Sequence, residues 1–125
     1  MMDQPHDVAP FDPELSDAFA KAGLPTAKRH LFFCIGPDCC ATEHGLATWE
    51  HAKKRLRELG IEAMRTKAAC FRICQRGPWL VVYPEGTWYD QVTPERFDRI
   101  AREHLQGGKP VAEWVRATKI LPPVS

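Results

Sequence analysis

Five cysteines gathered into two tight groups constrain this 125-residue chain more than any other feature. Cys34, Cys39 and Cys40 make the first group and Cys70 and Cys74 the second, with residues 41–69 between them. The count is odd, and the composition around it, 44% apolar and 26% charged, is that of an ordinary globular domain. Together these argue against a disulfide framework and for metal or redox chemistry. A chain this short builds one modest core. Two thiol groups remote in sequence therefore make one site only if the fold returns both to the same place.

The sequence divides into an N-terminal arm over residues 1–27, a domain over 28–118 and a short tail over 119–125. Pro5, Pro10, Pro13 and Pro25 interrupt any long element in the arm, which is expected to be poorly ordered. Residues 14–21 support two helical turns ended by Gly23, with Leu15 and Phe19 four apart as a stripe able to dock on the domain. His30-Leu31-Phe32-Phe33 then predicts a strand that delivers Cys34 at its end. Gly36-Pro37-Asp38 is turn chemistry and places Cys39 and Cys40 on a loop. From Leu46 a helical stripe of Leu46, Trp49, Ala52, Leu56 and Leu59 runs to a stop at Gly60. A weak strand is expected over 61–66, and a second cysteine-bearing loop over 67–78. Trp79 to Tyr83 and Thr87 to Tyr89 flank Pro84-Glu85-Gly86 and read as a hairpin. Thr93 as N-cap and Pro94 at the first helical position open a last helix with Phe97, Ile100, Ala101 and Leu105 on its apolar face. The order β-α-β-β-α predicts a small α/β sandwich with no internal repeat.

The spacings C-x4-C (Cys34, Cys39) and C-x3-C (Cys70, Cys74) place two thiol pairs on loops that follow strands. Four converging thiolates hold either zinc or an iron–sulfur cluster. Structural zinc most often uses knuckles with two residues between the cysteines, which neither pair has. A structural or regulatory zinc module nevertheless stays open at this point. So does a thiol oxidoreductase, although the C-x-x-C motif is absent. No Ser/His/Asp set or paired carboxylates stand out, so no catalytic residue is assigned.

The residues that sharpen this choice are HLFFC at the first cysteine, the cysteine loop closed by Gly45, and KAACFRICQRGPWLVVYPEGTWYDQVTPERFDRIAREHLQGGKPV. Over residues 31–115 the chain resembles the thioredoxin-like [2Fe–2S] ferredoxin family, whose members are similar to the small [2Fe–2S] subunit of respiratory complex I. The resemblance implies a thioredoxin-like fold with a mixed sheet and helices packed on it, a homodimer, and one [2Fe–2S] cluster per chain serving a one-electron carrier without substrate turnover. It implies Cys34, Cys39, Cys70 and Cys74 as cluster ligands, with Cys40 the alternative to Cys39. Gly77-Pro78 is expected to pass close to the cluster and offer N–H groups to sulfur. Trp79, Trp88 and Tyr89 are expected in the core or a dimer interface, and His51 and His104 on the surface.

Seventeen basic and sixteen acidic residues leave a formal charge of +1, which argues against nucleic-acid binding through bulk charge. Arg65, Lys67, Arg72 and Arg76 nevertheless crowd the second cysteine loop, where they can offset cluster charge and steer an acidic redox partner. No apolar run reaches the roughly 20 residues of a membrane span. The opening MMDQPHDVAP has neither a basic nor an apolar leader segment, so a cytoplasmic protein is expected.

Overall fold

The structure is a computed structural model that describes residues 11–124. The first ten residues of the expected arm, with Pro5 and Pro10, and Ser125 of the tail lie outside the described residues. After a short 3-10 turn (Pro13–Leu15), helix α1 (Ser16–Ala22) ends at Gly23, which takes the left-handed conformation at φ 85°. Leu15 stays largely exposed, so the expected docking stripe does not form there; Phe11 packs instead against Phe19, with ring centroids 5.4 Å apart.

Strand β1 (Arg29–Cys34), helix α2 (Thr42–Leu59) and strand β2 (Ala63–Ala68) form a parallel crossover unit. Strands β3 (Leu80–Tyr83) and β4 (Thr87–Tyr89) form the expected hairpin, with β3 antiparallel to β1. Helix α3 (Pro94–Ile100) continues into a π-helical turn (Ala101–Gln106). Thr93 caps α3 by accepting the Arg96 N–H at 3.2 Å, and Pro94 sits in its first turn. A final strand β5 (Val115–Thr118) pairs antiparallel with β4, giving the sheet order β2-β1-β3-β4-β5.

Two of these elements differ from the sequence expectation. Helix α2 begins at Thr42, four residues before Leu46, because its first turn is held by packing of Gly45 on the backbone of Ile35 and not by a capping side chain. Strand β5 was not anticipated. Only Val115 of its four residues is half-buried, so the strand exists through pairing with β4 and carries no hydrophobic alternation.

The alternation along the strands builds two apolar clusters on opposite faces of the sheet. Leu31, Phe33, Leu80 and Val82 point toward Ala52, Leu56, Phe97, Ile100 and Leu105 of the helices and make the main core. Cys34 and Trp79 lie on the other face with Cys39, and Phe71, Ile73 and Trp88 pack around them. Strand β3 is buried on both sides, which is why its sequence is an unbroken apolar run.

His104, expected on the surface, is fully buried in a polar chain that crosses the core. The Val111 N–H donates to the Tyr89 hydroxyl at 3.1 Å, which donates to His104 Nδ1 at 2.8 Å. His104 Nε2–H faces Glu85 at 3.1 Å, and Arg29 Nε donates to the same carboxylate oxygen at 2.8 Å. The surface expectation failed because helical spacing cannot show a polar partner contributed by another element. Burial lowers the His104 pKa from the usual value near 6.5, with Arg29 adding to that effect and Glu85 opposing it. Burial works to raise the Glu85 carboxyl, but hydrogen bonds from Arg29, the backbone and His104 outweigh it and hold the group below its usual range. A depressed histidine pKa makes the unfolded chain the stronger proton binder below pH 6.5. Stability is therefore expected to be unaffected by this group above about pH 6.5 and to fall as pH drops beneath it, by at most about 1.4 kcal/mol per pH unit. Urea midpoints between pH 7.5 and 5.5 should decline in the wild type and flatten in His104→Gln; an equal slope in both would remove His104 as the cause.

Candidate metal centre

The crossover topology brings the two cysteine-bearing loops to one end of the sheet. Strands β1 and β2 are parallel and in register at their ends, with Cys34 opposite Ala68, so the loops that follow both strands leave from the same end of the sheet. The second loop must also return there, because β3 starts at Leu80 opposite Phe33. Backbone hydrogen bonds stitch the two loops: Ile35 N–H to Ala68 C=O at 2.9 Å, Gly36 N–H to Ala69 C=O at 3.1 Å, and Gly77 N–H to Cys39 C=O at 2.9 Å.

All five cysteines are free thiols, with Cys34 and Cys39 buried, Cys40 and Cys70 half-buried and Cys74 exposed. Cys34 and Cys39 sulfurs are 2.8 Å apart, and Cys70 and Cys74 sulfurs are 3.9 Å apart. Two thiolates on one tetrahedral metal, at about 2.3 Å from it, stand about 3.8 Å from each other. The Cys70–Cys74 pair already has that spacing, and the Cys34–Cys39 pair needs to open by roughly an ångström. Among the described residues no three His, Cys, Asp or Glu side chains converge on a single-ion site. The structure shows two thiol pairs, one on each of two loops joined by backbone hydrogen bonds.

Burial pushes the Cys34 thiol well up, reinforced by its neighbour Cys39. Burial likewise pushes Cys40 up to about 11. Contact with Cys70 raises Cys74, with smaller contributions from Asp38 and Cys39. These shifts run opposite to those of a reactive low-pKa thiol. Exposure falls off toward Cys34, so the site has a wet side at Cys74 and a dry side against Trp79 and Trp88, whose rings meet edge-on at 6.1 Å. Trp79 is held in that wall by its indole N–H, which donates to Gln75 C=O at 2.8 Å.

The backbone N–H groups of Trp79 and Arg72 point at sulfur, at Cys34 from 3.0 Å and at Cys70 from 2.9 Å. The sequence leads one to expect these donors at Gly77-Pro78. Pro78 has no N–H, and Gly77 spends its own on the Cys39 carbonyl, so that segment ties the loops together instead. Nothing in the residue types at Arg72 and Trp79 signals a backbone donor. The basic residues also divide. Arg65 and Lys67 lie over the Trp49 ring, at 3.9 and 5.2 Å from its centroid, and are committed to α2. Arg76 meets the buried Asp90 at 2.6 Å, while Arg72 remains exposed beside Cys70.

Asp90 was missed by sequence reasoning, although a carboxylate directly after the aromatic end of a hairpin strand is a usable signal. It is 0% exposed and joins Arg76 of the cysteine loop to Arg116 of β5, the latter at 3.1 Å. The Gln91 N–H donates to Arg76 C=O at 2.8 Å and completes the tether. Breaking a fully buried ion pair costs about 3–5 kcal/mol. Here both arginines are partly exposed and can rehydrate. Asp90→Ala is therefore expected to cost less, about 1–3 kcal/mol, by chemical denaturation.

One buried and one more exposed thiol pair, each on its own loop of a stitched pair, on a mixed sheet with helices against one face, define a small α/β protein with a cysteine-rich end. No protein-family model matches the chain. Its sequence is 32% identical over 97 residues to the 2Fe–2S ferredoxin of Aquifex aeolicus (strain VF5), covering 70% of this chain and 87% of the relative. It is 33% identical over 93 residues to the 2Fe–2S ferredoxin of Clostridium pasteurianum, covering 67% and 91%. The structure superposes on the thioredoxin-like [2Fe–2S] ferredoxin of Aquifex aeolicus with a TM-score of 0.67 and 30% identity, over 80% of this chain and 100% of that one. The chain belongs to the thioredoxin-like [2Fe–2S] ferredoxin family, and its α/β fold is thioredoxin-like as expected.

Proposed function

We propose that this chain is a one-electron carrier that binds a single [2Fe–2S] cluster, with Cys34 and Cys39 on one iron and Cys70 and Cys74 on the other. The observation that carries this reading is the pair of thiol pairs at one end of the sheet, one already spaced for a shared metal. When bound, such a cluster takes up and releases one electron. The protein's part is to hold the four sulfurs, to donate the Arg72 and Trp79 N–H groups to them, and to keep water from the Trp79 side. Cys39 is preferred to Cys40 because its sulfur is buried against Cys34, whereas Cys40 is half-buried and 3.8 Å from Cys39.

The carrier has no substrate turnover of its own. It works in the cytoplasm, where five free thiols are compatible with the redox poise. Its redox partner presents an acidic docking face to Arg72 and the half-exposed Arg76 beside Cys74. The chain pairs as a homodimer, as the sequence resemblance implies, with the partly exposed Trp88 of the hairpin available to the contact; a monomeric mass in sedimentation at micromolar concentration would exclude it. No helix among the described residues is long and apolar enough to cross a membrane.

The test is an absorption spectrum of anaerobically purified protein before and after dithionite, with iron, sulfide and zinc measured on the same sample. About two irons and two sulfides per chain, with visible bands that bleach on reduction, are expected. A colourless protein with about one zinc, still iron-free after reconstitution, would establish the structural zinc reading instead.

A further inference from the structure

On the α2 side of the sheet a cavity of about 510 Å³ lies where α1, α2 and β2 meet, lined by none of the cysteines. Lys21, Lys53, Arg57 and Arg65 contribute to its wall against the single carboxylate of Glu62. That carboxylate is already 4.0 Å from Lys28. Four cations around one concavity repel one another, and nothing on the described wall offsets them in full. Arg65 is the fixed point of the cluster. Its guanidinium lies 3.9 Å over the Trp49 ring, and Trp49 is itself held edge-on against the core residue Phe33 at 5.5 Å. Arg65 Nη1 is buried and has no hydrogen-bond partner among the described residues. The stacking on Trp49 fixes the guanidinium, and the described residues leave part of its donor capacity unused. Burial and the charge of Arg57 both work against the Arg65 cation, with Glu50 opposing them only in part.

Guanidinium forks match the paired oxygens of phosphate, and two of them with two ammonium groups suit adjacent phosphates. The volume is that of a small-molecule pocket. We propose that this cavity, built on Arg65 and Arg57 with Lys53 and Lys21, binds a small anion carrying a diphosphate group, at a site separate from the cysteine loops.

The experiment is calorimetric titration of the intact, cluster-loaded chain with inorganic pyrophosphate, and with sulfate at matched ionic strength. Pyrophosphate is expected to bind one per chain and more tightly than sulfate. Arg65→Gln should weaken it by about tenfold or more, since a charge-assisted, desolvated contact is lost, while Lys109→Gln, remote from the cavity, should leave it unchanged. If Arg65→Gln does not fold, Arg57→Gln, on the exposed face of α2, carries the same expectation. Equal affinity for sulfate and pyrophosphate, or pyrophosphate binding indifferent to both arginine changes, would overturn the proposal.

Discussion

Replacing Cys34 by alanine is expected to leave a chain that folds but is colourless, with iron and sulfide falling from about two per chain to a small residue. Cys34 is the innermost of the thiols, fully buried at the end of β1, with the Trp79 N–H aimed at its sulfur from 3.0 Å. Alanine removes one small apolar-packed atom there, a modest cavity, so the loss should fall on metal content and not on the fold. The same measurement separates the adjacent pair. Cys39→Ala should also lose the cluster, whereas Cys40→Ala should keep it, because only the Cys39 sulfur lies against Cys34. The reverse pattern would transfer the ligand to Cys40 and require the 35–41 loop to turn over on cluster binding. Circular dichroism on each variant distinguishes a lost cluster from a lost fold.

Gly77→Ala is expected to destabilise the protein by about 1–3 kcal/mol and to accelerate cluster loss. An added Cβ at this position would sit 2.8 Å from the Cys39 carbonyl oxygen and 3.0 Å from the Cys39 Cβ. The obstacle is backbone, so no rotamer change relieves it. The two cysteine loops would have to separate where the Gly77 N–H to Cys39 C=O bond now holds them. Since that bond is also what seats Cys39 beside Cys34, strain at Gly77 should appear in the metal centre as well as in the melting temperature. Bleaching of the visible bands with time under a chelator reads the first effect and thermal unfolding of the same sample the second. Wild-type values for both would show that the loops are not held by this contact.

The local elements were legible because their signals are local. The hairpin of β3 and β4 announces itself through two β-prone runs about a Pro-Glu-Gly turn, and α3 through Thr93 and Pro94 at its start. The placement of the thiols on loops was legible for a related reason, since the turn residues Gly36-Pro37-Asp38 are themselves local signals. What could not be read are features whose cause lies in another segment. Strand β5 has no apolar alternation of its own and is specified by the edge of β4. His104 sits where a surface residue fits the helical pattern, yet Tyr89 and Glu85 satisfy it inside the core. Arg65 and Lys67 stand next to the cysteine loop in sequence, but strand alternation turns both onto Trp49.

By itself, the order of residues determined the chemistry available, namely two groups of thiols on loops, and the elements that carry them. Only the tertiary structure decided that the two loops leave from the same end of the sheet. Parallel pairing of β1 with β2, in register from Arg29 opposite Ala63 to Cys34 opposite Ala68, sends both loops out at one end of the sheet. The antiparallel return into β3 closes the second loop over the first. Strand pairing is a long-range choice, set by which faces can be buried together, and no window of sequence contains both partners.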